Sequence, residues 1–425
     1  MRTTSIAPSE HMRRRARVLG ALKGAAAVVF AGGATRPLLG TWLADANFRY
    51  LTGLEDEPEA AVFFDPSAED ERRRIVLFLK PLDREAERWD GYREELGSSL
   101  RARTGFRTVM RTPSLPALLT DAARRAKRLA CLHPCAVYDA AVSPDLAVYR
   151  KVAERVPGVA IEDRTELLKD LRARKSPAEL ALMRRAIAAT AEGYRAVFGM
   201  LRPGVSELEI RQALETAYHR HGVERLAFNT IVGAGLNGTV LHYAANKAVV
   251  EAGDLVVIDS GASFGGYCAD VTRTLPVSGR FTKEQRRFYE IVLAAQRAAI
   301  AAARPGVHMW RVDEAARAVI EKAGCGDAFI HGVGHQLGLA GPDADGDDHG
   351  GHDRGEGQDA QAHEAADGTG GDAHAHRRRT STSSPPGVKV AVPAVRGLSI
   401  DTTTPTVGED SWPGRALSPT CTEVT

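Results

Sequence analysis

The sequence predicts an α+β protein in three segments: an N-terminal α/β domain over residues 1–168, a second α+β domain over 169–340, and a low-complexity tail over 341–425. Three observations predict it. In the first segment, short β-rich runs alternate with helical stretches. In the second, helix-opening signals alternate with strand-like runs separated by turn residues. From Ala340 the composition changes abruptly, and almost nothing is left to bury. A chain of 425 residues exceeds one ordinary core, so division into domains is expected. The 44% hydrophobic and 26% charged content belongs to a soluble globular protein. A net charge of +2 argues against nucleic acid or anionic membrane as the main partner.

The N-terminal stretch HMRRRARVLGALKGAAAVVFAGGA has the outline of a secretory leader, but Lys23 and Gly24 split its apolar run. AAAVVFAGG reads instead as a first strand ending in Gly. EAAVFFDP and RRIVLFLKP follow as strands, and PALLTDAARRAKRLA as a helix. No run approaches the ~20 apolar residues that a membrane span needs. The cysteines Cys131, Cys135, Cys268, Cys325 and Cys421 lack the paired spacing of a zinc site, so reduced thiols in a cytoplasmic protein are expected.

The second segment opens at Ser176-Pro177-Ala178-Glu179, a capping box with Pro at the first helical position. Ser206-Glu207-Leu208-Glu209 repeats the device before a helix stopped at Gly222. Thr282-Lys283-Glu284-Gln285 opens a third helix, which Arg304-Pro305-Gly306 ends. FNTIVGAG and TVLHYAA read as strands between these helices. GAGLNG (233–238) reads as a tight turn, because neither Lys-Ser/Thr nor a helix follows it as a phosphate loop requires. The tail from 340 to 387, rich in Gly, Asp, His, Arg and Ser, cannot offset its ordering entropy and is expected to be disordered.

The chemistry concentrates in VVIDSGASFGGYCADVTRT, residues 256–274, where Asp259 and Asp270 interrupt two β-rich runs. A hairpin turning at Ser263–Gly266 would set the two carboxylates directly opposite each other, about 4.5–5.5 Å apart at Cβ. Like charges so placed repel unless a cation lies between them, and hard divalent metals favour this arrangement. A solvated strand face or a shared proton is the alternative. His335, in FIHGVGHQLGL, is a third candidate ligand, with His331 four residues before it in a Gly-rich bend. His242, in TVLHYAAN, is either a core histidine or a hydrogen-bond donor at a cleft.

Taken together, FNTIVGAGLNGTVLHYAAN, AGDLVVIDSGASFGGYCADVTRTLPVSGRFTKEQRRFYEIVLAAQ and HGVGHQLGL resemble aminopeptidase P, the Xaa-Pro aminopeptidase of the pita-bread metallopeptidase family M24. DANFRYLTGLEDEPEAAVFF and LFLKPLDREAERWDGYREELG resemble that family's N-terminal domain, so the likeness covers about residues 10–340. The resemblance implies a pita-bread catalytic domain over 169–340 with two divalent metal ions, Mn by expectation and Co or Zn as alternatives. Such a centre activates water for cleavage before a penultimate Pro. Carried over motif by motif, Asp259 would bind one metal, Asp270 both, and His335 the other. His242 and His331 would be the catalytic and substrate-binding histidines. The implied partner is a peptide with Pro in second position, in a protein that is often a homo-oligomer. Prolidase, an Xaa-Pro dipeptidase, is the nearest enzyme alternative, and WDGYREELG favours the aminopeptidase. A non-catalytic pita-bread protein that binds peptides or partners is the alternative of another class.

The chain also departs from the family. After HGxGHxLGL the family continues into a V-H-D segment, then E-P-G and R-I-E-D motifs whose glutamates complete the metal set. Here LGLAGPDADG follows, with Pro342 at the place of the V-H-D histidine, and neither glutamate motif occurs. The pita-bread domain is therefore expected to be cut short near residue 340, and peptidase activity impaired or absent. The abrupt change of composition resembles an altered reading frame, which sequencing the coding DNA across codons 335–345 would decide.

Overall fold

A computed structural model describes residues 6–33, 42–135 and 141–339, with the backbone of 341–342. Apart from 341–342, the tail read as disordered lies outside the described residues. The leader-like stretch is a helix, a turn and a strand. Helix α1 (Pro8–Ala21) starts with Pro in its first turn, and Lys23 and Gly24 turn the chain at φ 49° and 92° before strand β1 (Ala27–Phe30).

Helix α2 (Ala46–Thr52) is capped by Asp45, whose carboxylate accepts from Asn47 N and Phe48 N. Strands β2 (Ala61–Phe64) and β3 (Ile75–Leu79), helices α3 (Arg84–Asp90) and α4 (Ser98–Thr104), and strand β4 (Thr108–Arg111) follow. The sheet order is β1-β2-β3-β4, antiparallel except for the β3–β4 pair. Helix α5 (Leu115–Ala126), strand β5 (Arg128–Cys131), helix α6 (Pro144–Ala153) and strand β6 (Ala160–Asp163) complete the domain. The parallel β5–β6 pair meets β1 through an Ala26–Leu129 bridge.

Both faces of this sheet are covered, which is why its strands read as unbroken apolar runs. Because side chains alternate along a strand, Val62 and Phe64 pack with Val18, Phe48 and Leu51, while Ala61 and Phe63 pack with Leu119, Ala122 and Tyr149.

Helix α7 (Glu166–Ala173) leads into α8 (Pro177–Phe198) and α9 (Glu207–Arg220). Both bonds of the capping box form at Ser176 and at Ser206, as the sequence predicts. Two three-stranded sheets follow. They are built from β7 (Arg225–Leu226), β8 (Ile231–Ala234), β9 (Leu255–Ser260), β10 (Ala262–Phe264), β11 (Tyr267–Cys268) and β12 (Val271–Pro276). Their orders are β11-β10-β7 and β12-β9-β8, so β9–β10 and β11–β12 form one long hairpin bent near Gly261. Helices α8 and α9 cover the face of Val256, Ile258 and Ala262.

Helix α10 (Lys283–Ala302), opened by the third capping box, pairs with α11 (Met309–Lys322). Ala295 and Ala299 meet Val312, Ala316 and Ile320 across this pair, and Phe329 and Val333 close its end. Its outer surface leaves Ile300 47% and Trp310 56% exposed, so only one face of the pair is buried among the described residues. A last pair, β13 (Leu337–Gly338) and β14 (Gly341–Pro342), touches β11 through a Tyr267–Leu339 bridge.

Candidate functional site

The hairpin that carries the two aspartates turns one residue later than the sequence reading places it. Gly265 and Gly266 both hold positive φ, 54° and 78°, forming a two-residue turn between Phe264 and Tyr267. Such a turn demands left-handed backbone at both central positions. Two glycines take it without strain, while Phe264 in that place would not. Asp259 therefore pairs with Thr272, not with Asp270, and continuing the register sets Asp270 across from Gly261. The expectation that the carboxylates lie directly opposite is corrected to a diagonal arrangement, for which a regular ladder gives a separation of about 7–8 Å. A one-residue move of the turn changes the pairing sum by two, so both aspartates keep the same face.

That face is turned away from the helices. Along β9, Val256, Ile258 and Ser260 are buried against α8 and α9, while Val257 and Asp259 alternate to the more open side. Tyr194 from α8 donates to Ile258 O at 2.9 Å, and Tyr218 from α9 donates to Ser260 Oγ at 3.1 Å. Thr190 Oγ1 accepts from Ala262 N at 3.0 Å. Burial pushes the Tyr194 and Tyr218 phenols above their ordinary range, and the Asp259 charge adds to both, so they remain neutral donors. These contacts anchor the back of the hairpin and leave its aspartate face to the loop that carries His335.

His335 lies in an irregular segment between α11 and β13, as the Gly-rich bend predicts. The segment hangs from two points: Val333 N donates to Asp313 Oδ1 at 2.8 Å, and Leu339 bridges Tyr267. His335 Nδ1 faces Gln336 O at 2.8 Å, an arrangement in which Nδ1 carries a proton and donates. Nε2 points to Asp270 Oδ2 at 3.9 Å. The structure thus brings Asp270 and His335 together, with Asp259 on the same hairpin face.

His331 and His242 are placed differently. His331, half-buried, turns its Nδ1 to Gly332 O at 2.7 Å on the same loop. His242 is exposed in a turn after a short 3₁₀ segment, Gly235–Thr239, so TVLHYAA is not a strand and the core-histidine alternative is overturned. The cause lies at Glu207, which is fully buried at the start of α9 and grips the loop from several sides. Its carboxylate accepts from Ala234 N and Ala248 N at 2.8 Å, Tyr243 Oη at 2.9 Å and Asn237 Nδ2 at 3.0 Å. Neither Glu207 nor Asp313 stood out in the sequence: Glu207 sits inside a capping box whose visible partner is Glu209, and Asp313 lies in an ordinary amphipathic helix.

The match to known proteins follows the same division. Residues 181–361 match the profile of metallopeptidase family M24, and residues 11–130 match that of the aminopeptidase P N-terminal domain. The Xaa-Pro aminopeptidase of Escherichia coli K12 is 32% identical over 370 residues, spanning 79% of this chain and 81% of that protein. The chain belongs to metallopeptidase family M24, in its aminopeptidase P branch. The Xaa-Pro dipeptidase of Pyrococcus furiosus is 38% identical over 174 residues, covering 41% of this chain and 50% of its own length. Zinc-substituted E. coli aminopeptidase P in complex with product superposes with a TM-score of 0.68 at 28% identity, covering 80% of this chain and 82% of that one. The expected pita-bread architecture and peptidase class hold.

Membership of M24 implies divalent metal ions, and the donor set decides how far this chain suits them. Asp259, Asp270 and His335 are hard or borderline donors of the kind such ions take. Among the described residues, however, no group of three or more His, Cys, Asp or Glu side chains is gathered closely enough to hold an ion. Two carboxylates on a diagonal and one imidazole 3.9 Å from the second form an edge and not a closed cage. The described residues do not fit a complete two-metal centre.

Proposed function

We propose that this chain carries the framework of an aminopeptidase that releases the residue preceding a penultimate Pro, and that the chain as it stands turns over little or no substrate. Asp259, Asp270 and His335 are the metal-facing residues in this reading. His242 and His331 are the substrate-facing ones. The observation that carries the reading is the 3.9 Å approach of His335 Nε2 to Asp270 Oδ2 over the face shared with Asp259. Impairment is supported by the sequence after Leu339, where no E-P-G or R-I-E-D glutamate follows to close the set.

The metal preferred in this reading is Mn, with Zn or Co as substitutes. The cytoplasm as its compartment is supported by Cys131, Cys135, Cys268 and Cys325, which stand as thiols. No described helix is long and apolar enough to cross a membrane. Association of several copies is supported by Trp89 and Tyr92 in WDGYREELG, which stand 86% and 96% exposed. The dipeptidase reading is favoured by the 38% identity to the Pyrococcus furiosus enzyme over 174 residues.

The test is hydrolysis of Xaa-Pro-Xaa tripeptides and Xaa-Pro dipeptides with added Mn, alongside equilibrium dialysis of the metal. At most one weakly held equivalent and negligible turnover are expected. Two tightly bound equivalents, or turnover near the ~10 s⁻¹ typical of working enzymes, would refute the impairment. Activity confined to dipeptides would move the substrate assignment to prolidase.

A further inference from the structure

A cavity of about 320 Å³ lies between the two domains. It is framed by Arg49 and His11 from the N-terminal domain and by Arg185, Phe264, Gly266 and Tyr267 from the catalytic domain. It shares none of Asp259, Asp270 and His335 with the candidate metal site. Its lining includes one side chain that the fold does not explain. Arg49 is only 5% exposed, and its Nε is buried with no hydrogen-bond partner among the described residues. Glu55, whose charge favours the Arg49 cation, is paired instead with Arg225 at 3.2 Å, and Arg172 adds a second nearby positive charge.

A guanidinium is planar and permanently charged, with five N–H donors in a fixed fork, so burying it without an acceptor is costly. Folded proteins keep such groups where something completes them. Gly266, which the turn requires at φ 78°, also lets Arg49 Nη1 come close to the hairpin: a Cβ there would sit 2.6 Å from it. Arg185 stands at the same cavity, its guanidinium 4.3 Å over the Phe264 ring, and supplies a second cation at the wall.

We propose that this interdomain cavity is an anion-binding site in which Arg49 takes a small oxyanion, a carboxylate or a phosphate, through its fork, with Arg185 as the outer cation. Bidentate pairing suits either chemistry. Because the ligand would touch both domains, its binding stabilises their association. Neutral His11 on the wall adds no charge at pH 7.5, since burial holds its imidazole down to about 4.

The experiment uses the full chain at pH 7.5, with thermal unfolding followed during titration with sodium phosphate and, separately, sodium acetate, against sodium chloride at matched ionic strength. A saturable rise in Tm of roughly 2–4 °C at tenfold excess over Kd is expected for one of the two oxyanions and not for chloride. The responding arm tells phosphate from carboxylate. Arg49→Gln removes a buried charge whose Nε has no hydrogen-bond partner among the described residues, so it should fold with an unchanged or higher Tm in chloride and lose the oxyanion response. Arg185→Gln keeps Arg49 and should weaken the response several-fold without abolishing it. An oxyanion response that persists in Arg49→Gln, or its absence from the unmodified chain in both arms, overturns the proposal. If Arg49→Gln fails to fold, the several-fold loss in Arg185→Gln carries the test, and an unchanged affinity there overturns it.

Discussion

His11 shows how much one buried titratable group can weigh in this fold. Its Nδ1 lies 2.9 Å from Tyr50 O, and the ring is 6% exposed between α1 and α2. Burial, together with the Arg14 and Arg15 charges, lowers its pKa to about 4 from an ordinary 6.5. A histidine whose folded pKa is depressed stays neutral in the native state while the unfolded chain takes up a proton. Its contribution is therefore complete above pH 6.5 and lost as pH falls towards 4. A shift of this size corresponds to roughly 3 kcal/mol. Urea unfolding at pH 7 and pH 4 should show the native chain losing about that much more than His11→Gln, which has no proton to bind. Equal losses in the two proteins would remove His11 from the account. Nothing in HMRRRARV marks His11 as buried. Arg14 and Arg15 point the same way, since their guanidinium groups are covered by Tyr50 and Phe106 from elements far along the chain. Burial of this kind is set by tertiary packing, which a local pattern does not encode.

At the scale of elements, the hairpin over 255–276 carries the clearest lesson about what sequence reveals. The alternation of LVVIDS and the Gly-Gly pair made the hairpin and the shared face of Asp259 and Asp270 legible. The exact partner depends on which two residues occupy the turn, and this moved Asp270 from Asp259 to the diagonal. Capping boxes at Ser176, Ser206 and Thr282 were equally legible, because every participating group lies within four residues. The TVLHYAA loop was not, since Glu207 holds its Tyr243 from 36 positions away. The bend at Gly261 explains why the hairpin keeps its register. A Cβ at that position would stand 1.9 Å from Ala269 O, so the strands approach there as only glycine allows. Gly261→Ala should therefore cost several kcal/mol, on the order of 3 or more, and displace Asp270 from His335. Chemical denaturation would measure the first effect. The chemical shift of the His335 ring across a pH titration would report the second. A variant with native stability and an unshifted His335 would show that the bend tolerates a side chain.

For the whole molecule, the two domains are joined by a polar cluster set within a continuous apolar core. Leu182, Met183, Tyr267, Leu337 and Leu339 of the catalytic domain pack with Phe48, Leu51 and Phe64 of the N-terminal one. At its centre Arg14 meets Glu179 at 3.3 Å and Glu10 at 2.5 Å, and its guanidinium lies 4.0 Å from the centre of the Tyr50 ring. Glu179 also accepts from Tyr267 Oη at 2.8 Å, and Glu10 from Ser176 Oγ at 2.7 Å, so α1, α8 and β11 converge on one cation. Both members of the Arg14–Glu179 pair are only 4% exposed at the side chain, and removing one leaves the other charged and buried. Such half-removals cost about 3–5 kcal/mol. Arg14→Met should lower stability by that amount, whereas Arg14→Met combined with Glu179→Gln should recover part of it, because Glu10 is then the one carboxylate of this cluster left without the Arg14 cation. If the cluster couples the domains, a probe in each should report one shared transition before Arg14 is changed: Trp42 fluorescence in a background with Trp89, Trp310 and Trp412 replaced by Phe, and a label at Cys325 in a background with Cys135 and Cys421 replaced by Ser. In Arg14→Met the catalytic-domain transition should come first, since α10 and α11 bury only one face among the described residues and have least to lose by separating. A single coincident transition in both proteins, with a loss below 1 kcal/mol, would show that the apolar contacts alone hold the domains together.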